Sequence, residues 1–373
     1  MEPGLSLPPG LETAPPVLAM GGELKAAYCF AERGNALLSA PRGDLEDADV
    51  FDAYRRALDE VAGAPRMLVA DRHPDYLSSK LARERARRDA LPLLEVQHHH
   101  AHIAACLADN GWPLDAPPVL GIAIDGLGWG DDGTIWGGEF LRADYRRYER
   151  LGSFKPVAML GGARASREPW RNLYAHIMAG MGWAEFESSC GTLELYRYLT
   201  AKPRAVLDAM LRNGINSPPA SSCGRLFDAV AAALGICRER QGFEAEAACA
   251  LERLVDAHEE AAYPFDAENH LDPLPMWRAL FADLRAGVPP QMMAARFHNG
   301  LAQAMVAMAR RWNVNTAALS GGCFQNKVLL TRTRLLLEGE GLTVLVHRNV
   351  PAHDGGLALG QAAIGAARAL ESA

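Results

Sequence analysis

Apolar positions along the chain change their period several times, and each change marks an element. Val17–Met20 is a continuous apolar run, broken by Gly21-Gly22 and by Lys25 in a glycine-rich turn. A second extended run and, after Gly34, a third follow it, which predicts strand, turn, strand, strand. The same design returns about a hundred residues later. There the apolar strand Val119–Ile124 ends at Asp125, a Gly/Asp turn follows, and a strand covers Thr134–Leu141. Asp49 to Ala62 carries helical spacing, and Met67–Asp71 reads as a short buried strand. A helix-rich span runs from about Glu168 to Ala309. Beyond it, Thr316–Leu319 is a strand opening into Ser320-Gly321-Gly322, with a helix from Asn326. Leu342–Val346 is a strand, and Gly355 to Ala369 a small-residue helix. Two strand–glycine turn–strand units predict two related α/β lobes with a cleft between them.

At 373 residues the chain exceeds one ordinary core, which agrees with two lobes. Pro113, Pro117 and Pro118 place the boundary, giving lobes of residues 17–116 and 117–373, with the last helix a candidate to pack back on the first lobe. Residues 1–16, with Pro3, Pro8, Pro9, Pro15 and Pro16, read as a flexible leader rather than a secretory signal. A net charge of −7 argues against a nucleic-acid partner, and the basic run Arg83–Arg88 reads as a solvated helix face. No apolar run approaches the roughly 18 residues of a membrane span. Seven cysteines, none spaced C-x-x-C, argue against a disulfide framework or a cysteine zinc site and fit a reducing cytoplasm.

The chemistry concentrates at His98-His99-His100-Ala101-His102, heading the apolar run IAACLAD. On a helix, His98 and His102 stand one turn apart on one face, about 6 Å between Cβ atoms, where two imidazoles can hold one metal ion. Asp125, at a strand's carboxyl end beside a glycine turn, is the first candidate for a further ligand. Asp354, in Pro351-Ala352-His353-Asp354-Gly355-Gly356, is the second. A turn cap and a helix N-cap are their plainer roles. Two imidazoles and two carboxylates suit Fe(II), Zn(II) or Mn(II) without choosing among them. The turns Ser320–Asn326, Gly161-Gly162-Ala163-Arg164 and Gly224–Asp228 together offer backbone donors, two arginines and an acid, enough to bind a nucleotide between lobes. Lys25 could neutralise a phosphate, or be a solvated hairpin lysine. Cys323 has no evident histidine base and reads as a small core residue.

In order, GGELK, GDLED, DRHPDY, VQHHHAH, DGLGWGDDGTIWGGEF, GGARASREPWR, SSCGRLFDAVAAALG, SGGCFQN and HDGGLALGQA resemble the C-terminal transferase region of the HypF family of hydrogenase-maturation carbamoyltransferases. More distantly, H-x-x-x-H, SGG-x-x-x-N and DGG resemble the tRNA threonylcarbamoyladenosine transferases. The resemblance runs from about Val17 to the C-terminus. It implies a two-lobed actin/Hsp70-like α/β fold, each lobe ribonuclease-H-like, around an inter-lobe cleft for nucleotide and metal. It implies a divalent metal, Fe or Zn, on His98, His102, Asp125 and Asp354. An adenine nucleotide, the AMP moiety of carbamoyl adenylate made from carbamoyl phosphate and ATP, would rest on Gly161, Gly162, Arg164, Gly224, Asp228, Glu244, Gly321, Gly322, Gln325 and Asn326. The carbamoyl group would pass to the C-terminal cysteine thiol of a HypE-like protein, with Lys25 at the phosphate and His99 or His100 as the thiol's base. Full-length members also carry an acylphosphatase-like domain, a four-cysteine zinc module and an adenylate-forming domain, whose C-x-x-C pairs are absent here. Arg164, Cys323 and His353 stand where the family usually has lysine, valine and asparagine, and Phe243-Glu244-Ala245-Glu246 departs from YEGQ. The alternatives are a small-molecule O-carbamoyltransferase and a partner-binding module without catalysis.

Overall fold

The first glycine-punctuated unit folds as antiparallel strands, because Gly21 and Gly34, both at positive φ, allow the chain to turn where a side chain would be strained. The computed structural model describes residues 4–371. In chain order the first sheet uses β1 (Leu5–Ser6), β2 (Val17–Ala19), β3 (Cys29–Glu32), β4 (Asn35–Leu38), β5 (Met67–Asp71) and β6 (Leu93–Val96). Helices α1 (Ala48–Asp59) and α2 (Leu77–Asp89) intervene, and α3 (His98–Asp109) follows. The second sheet uses β7 (Val119–Trp129), β8 (Ile135–Ala143), β9 (Tyr148–Ser153), the short β10 (Val157–Ala158) and β11 (Pro219–Ala220), β12 (Thr316–Ser320) and β13 (Thr343–Val346).

In the first sheet β4, β3 and β2 run antiparallel, and β2, β5 and β6 parallel. In the second, β9, β8 and β7 are antiparallel, and β7, β12 and β13 parallel. The two sheets therefore repeat one five-strand order, the ribonuclease-H order, and the fold is two-lobed α/β of the actin/Hsp70-like kind. Between β10 and β12 lie α4 (Pro169–Gly180), α5 (Gly182–Cys190), α6 (Glu194–Thr200), α7 (Arg204–Asn213), α8 (Cys223–Ala233), α9 (Glu246–Arg253), α10 (Leu274–Ala286) and α11 (Pro290–Ala309), which build the largest apolar core around Trp277, Phe227 and Phe297. α12 (Lys327–Gly339) joins β12 to β13, and α13 (Leu357–Glu371) ends the chain.

Two helices tie the halves together. α3 leaves the first sheet and packs on β7, β8 and β12 of the second, while α13 leaves the second sheet and packs on β2, β3 and β5 of the first. They pack against each other, α3 rich in alanine and α13 in alanine and glycine, so their backbones approach closely. Gln361 of α13, fully buried, accepts from Gly21 N (2.7 Å) and donates to Gly21 O (3.1 Å), locking the first glycine turn to the last helix.

Two expectations need correction. The segment read as a flexible leader packs instead: β1 pairs with β4, and Leu7 and Leu11 are buried in the core shared by α3 and α13. Its leucines supply the apolar contacts, and proline is compatible with the extended path between them. Met1 to Pro3 of that leader lie outside the described residues. β7 does not stop at Asp125 but continues to Trp129 through an irregularity between Ile124 and Gly128. The glycines that read as a turn serve a bulge. Among the described residues no helix is long and apolar enough to cross a membrane.

Candidate metal centre and nucleotide cleft

α3 starts sharply. Gln97 caps it by accepting from His100 N (2.8 Å), and its amide donates to Trp129 O (3.1 Å), so the helix start is fixed against the end of β7. His98 and His102 follow on one face, both fully buried, with ring centroids 4.8 Å apart. Asp125 enters from the β7 bulge. Its Oδ1 accepts from Gly126 N (2.8 Å) and Gly322 N (3.1 Å), which turns Oδ2 toward the histidines. Asp354 enters from the turn before α13, where His353 Nδ1 accepts from Gly355 N (3.0 Å). One donor atom from each of His98, His102, Asp125 and Asp354 lies within 4.8 Å of the others.

The donor set fits a divalent metal. Nε2 of His98 is 3.3 Å from Asp125 Oδ2 and 3.7 Å from Asp354 Oδ1, and Nε2 of His102 is 3.4 Å from both. In a tetrahedral site with bonds of about 2.0–2.1 Å, neighbouring donors stand roughly 3.4 Å apart. Those contacts are poor hydrogen bonds: His102 Nε2 is buried with no correctly directed partner, an arrangement that costs free energy unless something else satisfies it. Burial alone would hold both imidazoles neutral, but the surrounding carboxylates outweigh it and raise both above the usual imidazole value. Burial would likewise raise Asp125, yet the two imidazoles pull it well below the usual carboxylate range. Asp125 thus sits in a pocket that favours positive charge, which a divalent cation would supply.

The other two histidines separate. His99 lies beside the centre, its ring 5.2 Å from that of His98 and its Nε2 buried without a partner. Burial, and then the neighbouring His98, hold it well below the usual imidazole value. His100 faces away: its Nε2 donates to Asp144 O (2.7 Å), its ring lies against Tyr148, and burial pushes it down to about 4. The structure does not bring His100 to the centre, because successive helical residues point in different directions.

Two of the glycine turns, at Gly224 and at Gly321-Gly322, meet beside Asp125. A Cβ on Gly224 would stand 2.9 Å from Gly126 Cα, so α8 starts directly against the β7 bulge, and Ser222 bridges them by donating to Gly126 O. Asp228, one turn into α8, is 1% exposed. Its Oδ2 accepts from Arg225 Nε (2.7 Å) and its Oδ1 has no partner. Burial raises it above the usual carboxylate value, against the pull of Arg225. Arg225 also donates to Ser166 Oγ (2.9 Å), joining α8 to the turn that begins at Gly161 and Gly162, both at positive φ. Gly321, at φ +103°, and Gly322 carry the third turn to the Asp125 carboxylate.

Four expected nucleotide contacts are spent elsewhere in this state. Arg164 is exposed and pairs with Glu168 (2.9 Å). Gln325 is exposed and donates to Gly322 O (3.3 Å). Asn326 caps α12 by accepting from Leu329 N (2.8 Å) and also bonds His298 (2.9 Å). Glu244 pairs with Lys25 of the first glycine turn (2.6 Å). The reading from sequence missed Asp71. It ends β5, is fully buried, and lies 2.7 Å from His98 Nδ1. The motif DRHPDY held the signal, but the contact joins positions too far apart for local spacing to reveal.

Comparison with known proteins identifies the family. The family model described as HypF Kae1-like domain matches residues 12–109, and the one described as Carbamoyltransferase, Kae1-like Domain, second subdomain matches residues 121–361. Carbamoyltransferase HypF of Rhodobacter capsulatus is 45% identical over 377 residues, covering 99% of this chain and 49% of that protein. Carbamoyltransferase HypF homolog of Cupriavidus necator is 38% identical over 381 residues, covering 97% of this chain and 94% of that protein. A crystal structure of full-length HypF in the phosphate- and nucleotide-bound form superposes with a TM-score of 0.87 at 31% identity, covering 97% of this chain and 56% of that one. The chain thus spans about half the length of the full-length relatives and nearly all of the shorter one. On these matches the chain belongs to the HypF family, and what it contains is that family's C-terminal Kae1-like region.

Proposed function

We propose that the chain is a carbamoyltransferase. It takes the carbamoyl group of carbamoyl adenylate, formed from carbamoyl phosphate and ATP, and passes it to the C-terminal cysteine thiol of a HypE-like acceptor protein. The observation that supports this reading is the meeting of the two-histidine, two-aspartate centre with the Gly224 and Gly321-Gly322 turns at the Asp125 bulge, in a chain of the HypF family.

His98, His102, Asp125 and Asp354 would hold the divalent metal, which when bound polarises a carbonyl or phosphoryl oxygen as a Lewis acid and positions it. The protein supplies the rest. A carbamoyl carbon is a weak electrophile because its nitrogen donates into the carbonyl, so close positioning matters. Asp228 Oδ1, buried and unpaired, is an acceptor for ribose hydroxyls, and Gly161, Gly162, Gly224, Gly321 and Gly322 let backbone N–H groups approach the nucleotide. Lys25 would trade Glu244 for a phosphate oxygen. The incoming thiol must lose a proton, and neither spare histidine offers a ready acceptor: Gln97 Nε2 donates to His99 Nδ1 (3.2 Å), which leaves the neutral ring's proton on Nε2, and His100 is committed to Asp144. Burial of the centre between α3, β7 and α13 keeps bulk water from the activated group.

Incubating the chain with synthetic carbamoyl adenylate and the acceptor, read by intact mass, tests the proposal. A gain of one carbamoyl group on the acceptor's terminal cysteine is expected. Stable binding with no mass change would leave a docking module, and transfer to a small hydroxyl compound would make it an O-carbamoyltransferase. Either outcome overturns the reading.

A further inference from the structure

We infer that Asp71 is the positioning residue of the metal centre: it fixes the tautomer and ring plane of His98 so that Nε2 is offered to the ion. The inference rests on reading His98, His102, Asp125 and Asp354 as a metal site, and concerns a residue outside that set.

Asp71 has no freedom of its own. It is the last residue of β5, paired with Val96 of β6, two positions before His98. One carboxylate oxygen, Oδ1, accepts from His73 N (2.8 Å), and the Asp71 carbonyl accepts from Ser79 Oγ (2.8 Å). The rotamer is therefore set by the backbone of the β5–α2 turn. The remaining oxygen, Oδ2, meets His98 Nδ1 at 2.7 Å, with both side chains fully buried. An ionised carboxylate can only accept a hydrogen bond, so Nδ1 must carry the proton. In a neutral imidazole the lone pair is then on Nε2, the atom 3.3 Å from Asp125 Oδ2 and 3.7 Å from Asp354 Oδ1. A ligand histidine whose other nitrogen donates to a carboxylate is a better and better-oriented donor, and removing that carboxylate typically lowers metal affinity about 10–100-fold.

His102 lacks such a partner: its Nδ1 is buried and unpaired. The two histidines are therefore unequal, and the support for His98 comes from the first sheet while α3 itself lies on the second. Through Asp71 the seating of the first sheet is built into the metal site.

Competition titration of Zn(II) against a chromogenic chelator, on the whole chain, tests this with Asp71→Ala and Asp71→Asn. Asparagine keeps an acceptor oxygen without the charge, so affinity should fall about 10–100-fold in Asp71→Ala and less in Asp71→Asn. In the Co(II)-loaded protein, a shifted, exchange-protected Nδ1–H proton resonance should be present in wild type, retained in Asp71→Asn and absent in Asp71→Ala. A folded Asp71→Ala with wild-type affinity, or with that resonance intact, overturns the inference. Should Asp71→Ala not fold, wild-type affinity in Asp71→Asn overturns it. A wild-type chain that takes up no Zn(II) refutes the metal centre itself, a separate result.

Discussion

Replacing Gly360 by alanine should open the contact on which the whole centre depends. Gly360 lies in the first turns of α13, and a Cβ placed there would stand 1.9 Å from Ala101 O and 2.6 Å from Ala105 N, both in α3. Real Cβ atoms essentially never approach a heavy atom within 3.0 Å, so the two helices must part by more than an ångström. The obstacle is helix backbone, which cannot rotate aside as a side chain would. Overpacking costs about 1–3 kcal/mol where side chains can give, and this site belongs at or above the top of that range. With a urea slope of about 3 kcal/mol per molar, the midpoint should fall by about 1 M or more. The same displacement separates His98 and His102, on α3, from Asp354, just before α13, so metal affinity should fall with stability. Gly339→Ala is the control, since nothing lies within 4 Å of a Cβ at that helix end. Urea unfolding and metal titration on the three proteins decide the matter. A Gly360→Ala protein with unchanged midpoint and affinity would refute the idea that the close helix crossing sets the site.

Asp228→Asn, which keeps the shape beside Arg225, should weaken adenosine-nucleotide binding about 10–100-fold, the worth of hydrogen bonds to a charged acceptor; an unchanged dissociation constant would remove Asp228 from the pocket. Lys25→Ala should cost less than about 1 kcal/mol of stability, because Lys25 and Glu244 are 31% and 61% exposed, while slowing carbamoyl transfer; unchanged transfer would return Lys25 to a surface role. His176 and His298 are pushed down to about 4 by burial, below their unfolded value near 6.5. Between those values the unfolded chain binds protons that these two folded histidines do not, so their contribution should make stability fall as pH drops from about 6.5 toward 4 and should add no pH dependence above about 7. Each contributes a slope of up to about 1.4 kcal/mol per pH unit, and His176→Gln should lessen the slope measured by urea unfolding; the same slope in the variant would contradict it.

What the sequence revealed follows the range of the interactions. His98 and His102 were legible because a helix makes neighbours of positions four apart, and the two lobes because their glycine-turn units repeat. Asp125 and Asp354 stood out as acids where a strand ends and a helix begins. The roles of His99 and His100 were not separable, since the distinction lies in the Asp144 carbonyl on the far side of α3. Asp71 and Lys25–Glu244 depend on contacts between distant segments. The β7 bulge was hidden because Gly126 and Gly128 carry the same composition as a turn. The packed N-terminal segment was hidden because its prolines dominate a local reading, although Leu7 and Leu11 are what bury it.

Metal binding by these four side chains is what the proposed function depends on most. Crystals of the chain grown with Zn(II) and a nonhydrolysable adenine nucleotide, measured at the zinc absorption edge, should show one anomalous peak among His98 Nε2, His102 Nε2, Asp125 and Asp354, at about 2.0–2.2 Å from each donor. A map with no peak among these four side chains, or with zinc bound elsewhere while they stay empty, would contradict it.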